Sequence, residues 1–280
     1  MNVMYHKLFG SWGEFLDHCL SKKPDYCRSE SSRDGGDRQW YGTPTYESAE
    51  KLAREGWREG TGLVAARSKA MVDKVAFRII KQDYTYDVCD GIGFDVALVA
   101  SNIPEHWMRP IDVESIGQST RFVRIRFNMA VSAGVSADVI RAKGAAVAAL
   151  VELLEYGGCR VELTTVAALG AGYGRDGKVA VWEVKVKDYD QPLDMGRVAY
   201  ALVHPSMFRR HIFSAMERSP QEVVESVTHC SYGMPTDSAH AEDEVYIGKA
   251  LLGDSQWLDP ASAESWIIDQ LKAQGIELRA

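Results

Sequence analysis

The sequence lacks the features of a membrane or secreted protein. No apolar run approaches the roughly 20 residues that a membrane-spanning helix needs. The first 15 residues lack the continuous apolar core of a signal peptide. Only five cysteines occur among 280 residues, and no two of them have CxxC spacing. These absences exclude a structural zinc site and predict a reduced, cytoplasmic protein that does not contact membranes.

Common catalytic signatures are absent as well. The chain has neither a Walker Gly-Lys-Ser/Thr segment nor a Gly-x-Ser-x-Gly segment. The glycine-rich stretch 170–178 lies between two predicted strands and is therefore predicted to be a hairpin turn rather than a phosphate loop. The net charge of −7 argues against a nucleic-acid coat protein and leaves only a local basic face open. We predict no cofactor.

The most informative segment is residues 121–169, which reads as one strand–helix–strand unit. A crossover helix between two strands requires the strands to be parallel. The alternating pattern at 179–187 predicts a further strand in an antiparallel hairpin with the second one. The elements predicted from residue 119 onward are strands at 121–127, 159–167, 179–187 and 245–251, and helices at 136–156, 194–202, 205–217 and 261–274.

The first part of the chain is less regular. Apolar spacing predicts a short helix at Trp12–Leu20. A second helix that runs through Glu59 can be capped by Thr45, or by Thr43 with Pro44 in its first turn. Residues 62–82 are predicted to continue helically, and 84–110 to be strand or irregular structure. We therefore expect an N-terminal helical and irregular segment at 1–118 and an α/β domain at 119–280.

The strand, the loop Asn128-Met-Ala130-Val-Ser132, the long helix and the Gly-Gly-Cys-Arg-Val-Glu strand resemble a von Willebrand factor type A (vWA) domain, especially that of cobaltochelatase-type subunits. The resemblance implies a doubly wound, mainly parallel sheet with one antiparallel hairpin strand. The whole chain also resembles a group of bacteriophage proteins, in features such as the His204-Pro205…Arg209-Arg210 segment, which implies a phage origin.

In vWA domains the first loop reads Asp-x-Ser-x-Ser and holds Mg²⁺ together with a Thr and an Asp from other loops, and this metal usually captures a carboxylate of a partner. The three positions fall here on Asn128, Ala130 and Ser132, and only Ser132 matches. Because Mg²⁺ prefers anionic oxygens, we predict no tightly bound metal. If one were present, its ligands would be Asn128, Ser132, Thr164 and Asp237.

The resemblance predicts a non-enzymatic, phage-encoded adaptor protein that uses the loop edge of a degenerate vWA-like domain. The predicted partner-binding residues are Asn128, Ser132, Asp190 and Asp194. The partner would be a host or phage protein, and the sequence leaves its identity and the oligomeric state open. A weaker alternative is a divalent-metal enzyme on the same loops.

A second alternative is a nucleic-acid-binding accessory factor in phage replication or transcription, contacting its ligand through Arg124, Arg126, Arg209 and Arg210. Arg124 and Arg126 share one face of a strand, where we expect them to pair with acids of neighbouring strands such as Glu183. Arg209 and Arg210 are expected in a solvated first helical turn.

Overall fold

A computed structural model describes residues 2–28, 30–72, 84–89, 91, 93–110, 121–170, 177–227, 232–254 and 256–274. Its contacts divide the chain into two compact units, Met1–Ala76 with Phe122–Ala280, and Phe77–Arg121. This division differs from the predicted boundary at residue 118, because the first elements of the chain share a sheet and a core with the α/β part.

The structure is of the α/β class. In chain order the strands are β1 (Asn2–Phe9), β2 (Tyr84–Asp87), β3 (Gly93–Phe94), β4 (Trp107–Pro110), β5 (Phe122–Asn128), β6 (Arg160–Gly170), β7 (Lys178–Lys187), β8 (Met234–Pro235) and β9 (Glu244–Ile247). The helices are α1 (Trp12–Leu20), α2 (Arg38–Tyr41), α3 (Tyr46–Glu55), α4 (Arg58–Val72), α5 (Val96–Ala100), α6 (Ala137–Tyr156), α7 (Met195–Val203), α8 (Phe213–Glu217), α9 (Gln221–Val227) and α10 (Pro260–Ala273). A π-helical segment, Met207–Ile212, leads directly into α8.

The larger unit is built on a mixed, mostly parallel sheet with the order β1-β7-β6-β5-β9, and β8 pairs with β6. Strand β5 is parallel to β6 and to β9, and β1 is parallel to β7. Strands β6 and β7 are antiparallel. The predicted parallel pair and the predicted hairpin are therefore confirmed, whereas β1 was missed.

Other predicted elements are confirmed with shifted ends. Thr45 caps α3 by accepting a hydrogen bond from the Ser48 amide at 3.1 Å. The helix stops before Glu59, because Gly56 takes a positive φ of 80° and breaks it. The last strand is shorter than predicted and ends at Ile247. The predicted helical residues 73–82 lie outside the described residues.

The core lies between one face of the sheet and the helices. Val123, Ile125 and Phe127 of β5 are buried on this face, and Ala146 of α6 is fully buried. Gly144 of α6 lies in close contact with α7. A Cβ atom at Gly144 would lie 2.0 Å from the Leu202 carbonyl oxygen, so only glycine fits here.

The sheet has two ends with different strands finishing at each. The carboxyl ends of β5, β6 and β9 lie together at one end of the sheet, which we call the β5 end. The carboxyl ends of β1 and β7 lie at the opposite end of the sheet, which we call the β7 end, because β7 is antiparallel to β6. Phe122 at the start of β5 contacts Tyr189 just after β7, with ring centroids 4.9 Å apart.

The smaller unit contains a three-stranded antiparallel sheet with the order β2-β4-β3 and the short helix α5. Asp95 caps α5 by accepting a hydrogen bond from the Ala97 amide at 2.8 Å. Across the described ranges of both units, no helix has the length and apolar character needed to cross a membrane.

Candidate functional site

The loop predicted to be functional lies at the β5 end, and its first side chain, Asn128, forms all its hydrogen bonds within the protein. Asn128 is buried. Its amide nitrogen donates to the Thr236 carbonyl at 2.8 Å and to the Tyr246 hydroxyl at 3.0 Å, and its carbonyl oxygen accepts from the Ala130 amide at 3.1 Å. Asn128 thus joins β5 to the segment before β9 and presents no free oxygen to a ligand.

The other candidate metal ligands do not complete a site. Asp237 approaches Asn128 through the Tyr246 hydroxyl, but it also pairs with the Lys249 ammonium. Thr164 of β6 pairs with Arg126 of β5, two residues before Val166, which pairs with Asn128 at the end of β5. Among the described residues, no three His, Cys, Asp or Glu side chains are grouped to hold a metal ion. The residues at the β5 end do not fit Mg²⁺.

The cation at the β5 end belongs to the protein, and sequence reasoning missed it. Lys143 of α6 is only 2% exposed. Its ammonium donates to the Asn128 carbonyl at 3.2 Å and to the Gly248 carbonyl, so it ties the end of β5 to the end of β9. Burial lowers the pKa of Lys143 to about 7. One feature of the sequence could have indicated this role, because Lys143 is the single charged residue in the run 142–151.

The predicted partner-binding residues do not form one surface. Asn128 and Ser132 lie at the β5 end, whereas Asp190 and Asp194 follow β7 and lie at the β7 end. Asp194 has a structural task there, because its carboxylate accepts from the Arg197 amide at 3.0 Å and caps α7. The antiparallel β7, itself correctly predicted, separates the two pairs.

The expectation that Arg209 and Arg210 are solvated is wrong, since both are fully buried in the π-helical segment. Arg209 donates to the carbonyls of Trp40 and Val135, each at 2.7 Å. Arg210 donates to the Thr43 hydroxyl and carbonyl, each at 3.0 Å. Burial lowers the pKa of Arg209 to about 10. These guanidinium groups hold loops of the protein and cannot reach a nucleic-acid backbone.

The arginines of β5 are paired, as the sequence predicted. Arg126 and Glu183 of β7 form a two-pronged ion pair, with one N–H···O distance of 3.0 Å, and His6 of β1 contacts the same carboxylate at 2.9 Å. Arg124 pairs with Asp243 at the surface. Arg126, whose side chain is only 14% exposed, therefore presents no unpaired cation to a phosphate.

The β7 end instead contains a cavity of about 300 Å³ lined by cationic side chains. Two arginines from different elements line it, namely Arg54 at the end of α3 and Arg197 in the first turn of α7, and Lys185 and Val186 of β7 also contribute to the lining. Gln191 adds an amide, and Trp12 contributes an apolar wall. None of the ten lining residues, all within the described ranges, is acidic. We call this cavity the cationic cleft.

Two glycines bring the arginines of the cleft together. Gly56 and Gly196 pack backbone to backbone, and a Cβ atom at Gly56 would lie 3.1 Å from the Gly196 Cα. The Trp57 amide donates to the Gly196 carbonyl at 3.0 Å. This contact joins the end of α3 to the start of α7. Arg54 and Arg197 consequently reach the same cavity although they are far apart in sequence.

The arginines of the cleft are anchored by carboxylates but remain accessible, with Arg54 and Arg197 being 44% and 36% exposed. Lys185 is 28% exposed. Partial burial alone would lower the pKa of Lys185, but its hydrogen bonds to Glu162 and Asp188, each at 3.1 Å, outweigh this and raise it. The hydrogen bond to Glu50 raises the pKa of Arg54.

The loop after β1 closes the cleft. Ser11 caps α1 by accepting from the Glu14 amide at 3.2 Å, and the Glu14 carboxylate accepts from the Gly10 amide at 2.9 Å. The start of α1 therefore lines the cleft. Sequence reasoning missed the cleft, because it is assembled from short stretches that lie far apart along the chain.

This geometry defines an α/β protein with a cationic cleft where two parallel strands end. The chain belongs to the family described as Domain of unknown function (DUF7192), whose model matches residues 2–278. Comparisons with curated proteins and with solved structures returned no match.

Proposed function

We propose that this protein is a non-enzymatic interaction protein that binds an anionic group of a partner protein in the cationic cleft. The observation that carries the proposal is the convergence of Arg54 and Arg197 on one cavity without an acidic lining residue. The predicted interaction function is kept, but its surface is restricted to the β7 end, where the predicted residues Asp190 and Asp194 lie, and no longer includes Asn128 and Ser132.

The chemistry of the cleft favours an anion. Arginine presents five N–H donors and lysine three, so the carboxylates that anchor these side chains leave donors free for a ligand. Exposed ion pairs such as Arg197–Asp194, at 3.6 Å, contribute little energy and can be exchanged for a ligand carboxylate. The volume of about 300 Å³ suits a side chain or a small acid rather than a large cofactor.

The finer fold assignment is also part of the proposal. We infer a vWA-like fold because the parallel pair β5 and β6, joined through α6 and followed by the antiparallel β7, is the arrangement that the resemblance implies. A degenerate metal loop agrees with a working surface at the other end of the sheet. The phage origin stays a prediction.

The test is a titration of the protein with citrate at low ionic strength, followed through the amide resonances of Gly10, Ser11 and Gly13. We expect saturable shifts at these residues. Arg197→Glu should weaken citrate binding at least tenfold, because it replaces an attraction by a repulsion inside the cleft. Rising salt should weaken binding as well.

The matched control is Lys272→Glu, which makes the same change of net charge at an exposed position of α10. Citrate binding should be retained in this variant. Equal binding in both variants would mean that net charge rather than the cleft attracts citrate, and the proposal would then be wrong.

A further inference from the structure

The geometry points to the form in which the partner presents its anion. We infer that the partner is an extended segment that pairs with the free edge of β1 and places a carboxylate in the cationic cleft. This inference rests on the proposed function and adds the identity of the partner as a strand with an acidic residue.

Strand β1 is the first strand in the order of the sheet, and within the described residues it pairs only with β7. The register shifts between Val3 and Tyr5, so the start of β1 is irregular. From Tyr5 to Phe9 each residue pairs in sequence with β7. These five residues offer a regular edge of about 17 Å, long enough for a short added strand.

The free edge leads directly into the cleft. Phe9 ends β1, and the next four residues, 10–13, all line the cleft. A segment paired along Tyr5–Phe9 therefore has one of its ends beside Arg54 and Arg197. One continuous ligand would then form backbone hydrogen bonds with β1 and place its carboxylate in the cleft.

The exposed side chains of β1 also suit this ligand. Leu8 and His6 are each about half exposed. They provide an apolar contact and a polar contact for side chains of an added strand. Long exposed edges are normally protected against pairing by bulges, proline or charged side chains. In β1 the register shifts at Met4, Lys7 is the one charged protecting residue within Tyr5–Phe9, and there is no proline.

A second copy of this chain fits the edge poorly. If two β1 strands paired antiparallel, Asn2 and Val3 of one copy would lie beside the cleft of the other. Neither side chain is charged, so the cations of the cleft would gain no anion. The charge of the cleft therefore favours a different protein whose strand carries the carboxylate.

The experiment is a selection of displayed random nonapeptides with free C-termini against the wild-type protein and against Arg197→Glu. We expect the wild type to enrich peptides that alternate β-branched residues and carry a terminal or near-terminal carboxylate. A selected peptide should bind Arg197→Glu at least tenfold more weakly. Synthesis as acid and as amide distinguishes a C-terminal carboxylate from an acidic side chain.

Amide hydrogen exchange then locates the peptide. Alternate N–H groups of Tyr5–Phe9 point away from β7, and the bound peptide should slow their exchange at least tenfold. Selected peptides that leave these amides unprotected, or no enrichment at all, would overturn strand addition while citrate binding still supports the cleft. Loss of citrate binding as well would overturn both proposals. A stable dimer protected along β1 would identify a second copy as the occupant and overturn the inference.

Discussion

Two lysines, one at each end of the sheet, behave in opposite ways. At the β5 end Lys143 is buried against backbone carbonyls, and burial lowers its pKa to about 7. At the β7 end Lys185 is partly exposed between Glu162 and Asp188, and these hydrogen bonds raise its pKa despite partial burial. The difference teaches that Lys143 is held inside the protein by backbone carbonyls, whereas Lys185 stays partly exposed beside carboxylates. The β7 end also has a structural lysine, because the buried Lys187 donates to the Val161 carbonyl at 2.8 Å.

The largest expected effect comes from burying a charge in α6, the helix that carries Lys143. Ala146→Asp places an unpaired carboxylate at a fully buried position of α6. We expect it to lower the free energy of unfolding by about 3 kcal/mol or more. Thermal and urea denaturation measure this loss.

The matched control for that prediction is Ala142→Asp, at a partly exposed position of the same helix, which should cost much less. If the melting temperature of Ala146→Asp were unchanged, α6 would not pack in the core as described, and the structural role of the β5 end would be wrong as well.

The second prediction concerns the pH dependence that Lys143 gives to stability. The folded pKa of about 7 lies below the ordinary value of 10.5, so between these values the unfolded chain holds a proton that the folded protein has lost. Stability from this group therefore rises with pH above 7. We expect the wild type to gain about 2 kcal/mol relative to Lys143→Met between pH 7 and 9.

Urea unfolding at several pH values tests this, with Lys272→Met as the exposed control that should follow the wild type. Parallel stability curves for the wild type and Lys143→Met would mean that Lys143 keeps its proton in the fold, in which case the two lysines would not differ as described.

Local patterns were sufficient to predict much of the fold. The strand–helix–strand pattern of residues 121–169 and the alternation at 179–187 predicted β5, α6 and β7 to within a few residues, and the crossover rule predicted the parallel pairing of β5 and β6. Strand β1 was missed because an edge strand with an irregular start lacks clean alternation. Its pairing with β7 depends on contacts more than 170 residues apart in sequence.

The candidate site was much harder to predict. Arg209 and Arg210 stand out as a charged cluster in the sequence, yet they are buried, because two loops of the same chain supply carbonyl partners that no local pattern reveals. The cationic cleft has the opposite character. Arg54 and Arg197 are each unremarkable in sequence, and only the backbone contact of Gly56 with Gly196 brings them together.

A smaller effect should sharpen the description of the β7 end. Asp194 both caps α7 and anchors Arg197. Asparagine is an equally good N-cap, so Asp194→Asn should leave stability nearly unchanged. Loss of the carboxylate should free Arg197 and tighten citrate binding about threefold, since an exposed ion pair is worth about 0.2–1 kcal/mol.

Asp194→Ala separates the two tasks of this residue. It should lose about 1 kcal/mol of stability with the cap, and it should show the same gain in citrate affinity as Asp194→Asn. If citrate binding weakened in both variants, Asp194 would be a ligand-binding residue rather than a competitor for Arg197.

The smallest expected effect is at the β5 end, where calorimetry with Mg²⁺ or Mn²⁺ should detect no tight binding. The Asn128 side-chain oxygen already accepts the Ala130 amide, and the Lys143 ammonium lies 3.2 Å from the Asn128 carbonyl, where it repels a second cation. Ser132→Ala should therefore leave the calorimetric trace unchanged. Micromolar affinity that disappears in Ser132→Ala would show that the loop rearranges to expose its oxygens and that Lys143 can leave its carbonyls. Metal-dependent capture of a partner carboxylate at the β5 end would then compete with the cationic cleft as the working surface.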